Sequence, residues 1–198
     1  LSGERLSWAE RAESVNAAFP NVPPTVYSHK WLYGVWYCGK RWTKNVLWGQ
    51  YPNRFHERSL ALWPDIPPLE ILHACAGTLT GPGVTLDISR QFQPQVQADV
   101  QHLPFKDDSF SLILYDPPYS DADANRYGQP KAPSWGKVWP EFLRILKPGG
   151  HIGVLHTYYP SYRRDEVNLR GLIAVVTGFM SVTRMFSIFE ANANGKLL

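Results

Sequence analysis

The stretch Leu112-Ile-Leu-Tyr-Asp-Pro-Pro-Tyr119 constrains this chain more than any other, because an apolar run stops there abruptly in a rigid, polar, aromatic tetrapeptide. Ser111 to Tyr115 is short, continuous and without helical spacing, which reads as a buried parallel strand ending at Asp116. Two prolines then forbid both helix and further sheet pairing. Proline fixes its own φ, removes a backbone donor and biases the preceding residue toward extended geometry, so the Asp116 carboxylate and the Pro117 carbonyl are held at a strand tip. In open α/β sheets, ligands bind at that edge.

A group gripped by two acceptors and covered by an aromatic ring matches an exocyclic amine on a planar base. Such an amine has two N–H donors, and its lone pair is delocalised into the ring. Accepting both N–H bonds localises that pair for attack on an activated methyl group, while Tyr119 stacks on the ring. Asp116-Pro117-Pro118-Tyr119 resembles the catalytic motif of amino methyltransferases, especially the S-adenosylmethionine-dependent DNA adenine-N6 methyltransferases. The resemblance implies a Rossmann-like α/β fold, S-adenosyl-L-methionine as cofactor, and Asp116, Pro117, Pro118 and Tyr119 as catalytic residues.

At 198 residues the chain is one domain of ordinary size, long enough to bury a core. Hydrophobic residues at 44% and charged residues at 19% describe a soluble globular protein, and no apolar run approaches the ~20 residues that span a bilayer. Cys38 and Cys75 offer neither a disulfide framework nor a zinc spacing, so no metal is expected and a reducing cytoplasm is the default. The formal net charge of +3 names no partner by itself, but its distribution is uneven. Lys30 to Arg58 holds six basic residues (Lys30, Lys40, Arg41, Lys44, Arg54, Arg58) against the single acid Glu57, whereas Asp87 to Asp123 is mostly acidic.

Ser7-Trp-Ala-Glu10 has the form of a capping box, and Trp8, Ala12, Val15 and Phe19 follow with one-face helical spacing, which predicts a helix from Ser7 to Ala18. From Trp31 to Trp48 the aromatic and β-branched residues predict a hairpin turning near Gly39. Basic residues interleaved with Trp31, Trp36, Trp42 and Trp48 suit phosphate tracking and base stacking, but the tryptophans suit a core equally well. Tyr51-Pro52 with Phe55 close behind, then a helix over Glu57 to Trp63, is similar to the segment that touches the methionine end of the cofactor in DNA amino methyltransferases.

Leu69 to Thr78 reads as a strand opening into a glycine turn, where the resemblance places the first cofactor motif, around Ala76 and Gly77. His73 stands where that motif has an acid. Thr78 to Gly83 is all that separates this strand from Val84-Thr-Leu-Asp-Ile88, so the first crossover helix of the usual fold is expected to be missing. Asp87, at the tip of the second strand, suits an acid accepting from two ribose hydroxyls. Asp99, followed by Val100, falls where the family sets an acid against the cofactor's adenine amine.

Ser120 to Trp135 has no periodicity and reads as a substrate loop. Val138, Phe142, Ile145 and Leu146 predict a helix that stops at Lys147-Pro-Gly-Gly150 before a strand from His151 to His156. Beyond the aromatic and basic Tyr158 to Arg164, a helix is expected over Asp165 to Ala174 and terminal strands over Val175 to Glu190. The expected organisation is an N-terminal helix and aromatic-basic extension (1–47) on a methyltransferase domain (48–198), together one compact unit. The expected activity is methyl transfer to adenine N6 in DNA, with nucleic acid as partner and no membrane. Methylation of an RNA base, a small-molecule acceptor and a non-catalytic binding module are the alternatives.

Overall fold

The computed structural model describes residues 5–39, 51–178 and 180–192. Helix α1 (Trp8–Ala18) starts at the expected capping box: the Ser7 hydroxyl accepts from the Glu10 amide at 3.3 Å, and the Glu10 carboxylate accepts from the Ser7 amide at 2.7 Å. Strands β1 (Val26–Ser28) and β2 (Trp31–Tyr37) follow, then α2 (Phe55–Ala61), β3 (Ile71–Ala74), β4 (Val84–Asp87), β5 (Val96–Gln97) and β6 (Phe110–Tyr115). Helices α3 (Asp121–Arg126) and α4 (Trp135–Ile145) precede β7 (Leu146–His156), β8 (Val167–Val176) and β9 (Arg184–Ala191).

The strands form one sheet in the order β1-β2-β8-β9-β7-β6-β3-β4-β5. All run parallel except β1 and β9. From β3 the chain steps outward to β4 and β5, then returns to the other side of β3 to lay down β6. That reversal opens a crevice between the carboxyl ends of β3 and β6.

Strand alternation distributes the core over two faces. Ile71, Leu112, Leu114, Phe186 and Ile188 pack against α1 and α2 through Val15, Phe55 and Trp63. On the opposite face Leu72, Ala74, Ile113, Tyr115 and Ile152 meet Val138, Trp139, Phe142 and Ile145 of α4. That helix stripe therefore belongs to the core, as its spacing implied.

The first crossover helix is absent: Cys75 to Gly83 joins parallel β3 and β4 as a loop. The buried His73 pins it, its Nε2–H donating to the Pro82 carbonyl at 3.0 Å, with the His56 ring 5.0 Å away. Gly83 has φ +113°, and a Cβ there would stand 2.6 Å from the His73 imidazole. His73 thus secures a loop in place of a crossover helix.

The hairpin expected over Trp31 to Trp48 falls largely on residues 40–50, which lie outside those described. A hairpin that the sequence reading did not anticipate joins β1 to β2 and turns at His29-Lys30, both left-handed (φ 51° and 68°), the geometry of a primed two-residue turn, and β2 then runs parallel to β8. Three expectations are corrected. The expected helix over Asp165 to Ala174 is β8. Its acidic start imitates a helix N-terminus, but pairing on both sides, to β2 and β9, decides the matter, and a Cβ at Gly171 would lie 2.8 Å from Leu32 Cβ. The segment after Tyr119 is not all loop, since Ser120 caps α3 by accepting from the Asp123 amide. Finally, β7 begins at Leu146 and takes in the Lys-Pro-Gly-Gly segment, with an irregularity in its register against β6 between Phe110 and Leu112.

Candidate active site

The crevice opens into a cleft of about 1280 Å³. Single small-molecule sites hold roughly 300–1,000 Å³, so there is room for a cofactor and an acceptor group together. Tyr51 and Pro52 precede α2, Ala76 and Gly77 follow β3, Asp87 ends β4, Asp99 and Val100 follow β5, and Asp116 to Tyr119 follow β6; all of these residues line the cleft. Residues scattered over 69 positions of sequence (from 51 to 119) are thus gathered at one sheet edge.

Asp87 organises one end. Its Oδ2 accepts from the Gly77 amide and its Oδ1 from the Ser89 amide, both at 2.9 Å. Burial pushes the carboxyl upward against the pull of these two amides. Each oxygen retains a further lone pair for a hydroxyl. Asp99, a third exposed at its side chain, accepts from the Gln101 amide at 2.9 Å beside the buried Val100.

Asp116 and Tyr119 form the other end. The Tyr119 hydroxyl donates to Asp116 Oδ1 at 2.6 Å, and the Asp116 amide reaches back to the Ala74 carbonyl at 3.5 Å, holding β6 against β3 at its tip. Burial raises the Asp116 carboxyl to about 6, against the lowering influence of Arg184 and the Tyr119 hydrogen bond. The Tyr119 ring meets the His156 ring edge-on at 4.9 Å, and the Arg184 guanidinium lies over it at 5.3 Å from the centroid. Burial holds His156 neutral, with its pKa near 4.

Tyr51 also lines the cleft. It packs on Phe55 and stacks on His56, and the buried Tyr51 hydroxyl has no hydrogen-bond partner among the described residues. A buried, unpaired hydroxyl in the wall of a cleft is a polar atom awaiting a ligand.

Sequence reasoning missed Arg126, Lys131, Lys137 and Arg184, which bring positive charge to the cleft. Three of them fall in the stretch read only as a loop and the start of a helix. Arg184 belongs to a distant strand, and no local signal marks it.

A mostly parallel sheet with a single reversed inner strand, flanking helices and a cleft at the β3/β6 switch point is the Rossmann-like α/β arrangement expected from the sequence. No family model matches the chain. A demethylmenaquinone methyltransferase of Lactobacillus johnsonii is 32% identical over 65 residues, which is 33% of this chain and 22% of that protein, so the chain spans about a fifth of the relative's length. Among solved structures, TrmN from Thermus thermophilus aligns with a TM-score of 0.49 at 18% identity, over 68% of this chain and 47% of that one. A SAM-dependent methyltransferase from Aquifex aeolicus aligns at 0.44 and 11% identity, over 71% and 93% of the two chains. An rRNA methylase from Streptococcus thermophilus aligns at 0.40 and 9%, over 64% and 90%.

Proposed function

We propose that this protein transfers a methyl group from S-adenosyl-L-methionine to the exocyclic amine of a nucleobase, with adenine N6 in DNA as the acceptor. One observation carries the reading: the Asp116–Tyr119 tetrapeptide faces the same cleft as Asp87 and Asp99, so amine and methyl donor share one enclosed space. The cofactor supplies an electrophilic methyl group. Asp87 would hold its ribose, Asp99 and Val100 its adenine, and Tyr51, Pro52, Ala76 and Gly77 its methionine end. That assignment fits the free lone pairs of Asp87 and the unpaired Tyr51 hydroxyl.

Asp116 and the Pro117 carbonyl accept the two N–H bonds of the acceptor amine, and Tyr119 stacks on its ring. With the cofactor bound, its methyl group would pass to the amine nitrogen as the carbon–sulfur bond breaks and leaves a neutral thioether, and the nitrogen would become acidic only as the new bond forms. Asp116, ionised above about pH 6, then takes the released proton. In duplex DNA the adenine must be flipped out of the stack to enter. Arg126, Lys131, Lys137 and Arg184 offer charge for the phosphates that accompany it.

The test is mass spectrometry of nucleosides after the protein is incubated with methyl-labelled cofactor and separate pools of single-stranded DNA, duplex DNA and RNA. Label in N6-methyldeoxyadenosine is the expected result. Label only in a ribonucleoside moves the acceptor to RNA, and cofactor binding without label in any pool leaves a binding module.

A further inference from the structure

We propose that Arg184, the first residue of β9, is a positioning residue of the acceptor site: its guanidinium braces the Tyr119 ring and keeps the Asp116 carboxylate ionised and aimed at the acceptor. This rests on reading Asp116–Tyr119 as the acceptor site. The geometry is a relay of three side chains from two strand ends. Arg184 Cζ lies 5.3 Å from the Tyr119 ring centroid, and the Tyr119 hydroxyl donates to Asp116 Oδ1 at 2.6 Å. Arg184 pairs with Val175 in the sheet, so its backbone is anchored rather than carried on a loop.

The groups facing Asp116 come from every side of the cleft. Tyr51 precedes α2, Cys75 follows β3, Tyr115 ends β6, and Tyr119 and Tyr127 flank α3. Burial drives the hydroxyls of Tyr51, Tyr115, Tyr119 and Tyr127 and the Cys75 thiol upward, so all five are neutral near pH 7. His156, against the Tyr119 ring, is neutral too. Among the described residues, Arg184 is the charged group whose influence on Asp116 opposes the cost of burying its carboxylate; Arg126, Lys131 and Lys137 line the same cleft. Arg170 of the neighbouring strand is held by Glu190 at 2.6 Å, whereas among the described residues Arg184 has no carboxylate in salt-bridge contact. An arginine is suited to the task because its flat, always-charged fork can stack on a ring and act on a carboxylate at once.

The experiment follows the Asp116 carboxyl directly. Carbon-13 NMR of protein labelled at the aspartate side-chain carbonyl is titrated with pH in the wild type, Arg184→Met, Arg184→Gln and Arg184→Lys, with Asp116→Asn identifying the resonance. The Asp116 midpoint should rise by about one unit or more in Arg184→Met and Arg184→Gln, the size of effect an opposite charge at this range exerts, and by less than half as much in Arg184→Lys. Single-turnover methyl transfer to an adenine oligonucleotide should lose about fivefold or more at pH 6 in the neutral variants and recover to within about threefold of wild type at pH 9. An unmoved Asp116 midpoint in whichever neutral variant folds overturns the proposal, whatever the activity. A moved midpoint in a protein that methylates no nucleobase would instead support the Arg184 to Asp116 coupling and remove the assigned acceptor.

Discussion

At the scale of single residues, Asp116 sets chemistry against stability. A carboxyl whose folded-state pKa lies near 6, above the usual 3.8, binds more protons folded than unfolded between about pH 4 and 6. Its burial therefore costs little below pH 4, costs progressively more as pH rises to 6, and costs its full amount above that. Asp116→Asn keeps an acceptor for the Tyr119 hydroxyl and removes the charge. It should raise stability by about 1–3 kcal/mol at pH 8 and leave it nearly unchanged at pH 3.5, as measured by urea unfolding at both. Asp116→Ala should abolish single-turnover methyl transfer while calorimetric cofactor affinity stays within a few fold. Asp87 is different in kind, because its oxygens also anchor the amides of Gly77 and Ser89. Asp87→Ala should weaken cofactor binding by about 1–3 kcal/mol and also lower the melting temperature, since the glycine turn loses its anchor.

At the scale of elements, β2 answers for two of the four tryptophans of the aromatic-basic segment, Trp42 and Trp48 lying outside the described residues. Trp36 is fully buried, donating through its indole N–H to Thr25 Oγ1 at 3.0 Å, whereas Trp31, Tyr33 and Tyr37 are 41%, 47% and 61% exposed. Residues alternate along the strand, so one face is core and the other an aromatic row. The row continues over Leu172, Ala174 and Val176 of β8, beside Tyr33, Val35 and Tyr37, and leads to the cleft at Gly39 and Thr177. Flat aromatic side chains on an open sheet stack the bases of a single strand. Tyr33→Ala and Tyr37→Ala should each weaken binding of single-stranded DNA by about 1–3 kcal/mol in fluorescence anisotropy and shift stability by no more than about 0.5 kcal/mol. Trp36→Ala should cost about 3–5 kcal/mol of stability. Equal binding by Tyr33→Ala, Tyr37→Ala and wild type would make the row an ordinary surface.

At the scale of the whole molecule, buried imidazoles govern acid stability. Burial lowers His73 to about 4 and His151 to about 3, the latter wedged between Trp8 and Trp63 with Arg11 and Arg5 nearby. Unfolded, both take up protons near pH 6.5, so between that pH and their folded values the unfolded chain binds more protons than the native one. Stability should fall continuously on acidification from pH 6.5 toward 4, opposite in sign to the Asp116 effect over much of that window. His151→Phe, similar in shape and untitratable, should flatten the decline measured by thermal melts at intervals of pH. A melting temperature independent of pH across that range would mean these rings are hydrated or paired. The same packing shows that no helix among the described residues is long and apolar enough to cross a membrane.

Local covalent rules made the strand tip at Asp116, the capping box at Ser7, the core stripe of α4 and the missing crossover helix legible in the sequence alone. Each is set by proline, hydrogen bonding or periodicity within a dozen residues. The cleft-lining residues of β3, β4 and β6 were legible for the same reason, since strand ends announce themselves locally. Tertiary structure alone decided what depends on partners far along the chain. Val167–Val176 is a strand because β2 and β9 offer pairing on both sides, which outweighs an acidic helix-like start. Trp36 is core and Trp31 surface because α1 and α2 cover one face of β2 and leave the other open. Arg184 stands over Tyr119, 65 residues away (184 less 119), because β9 inserts antiparallel between β7 and β8 and brings its first residue to the cleft. The raised pKa of Asp116 likewise comes from burial, which exists only once the sheet has assembled around the strand tip.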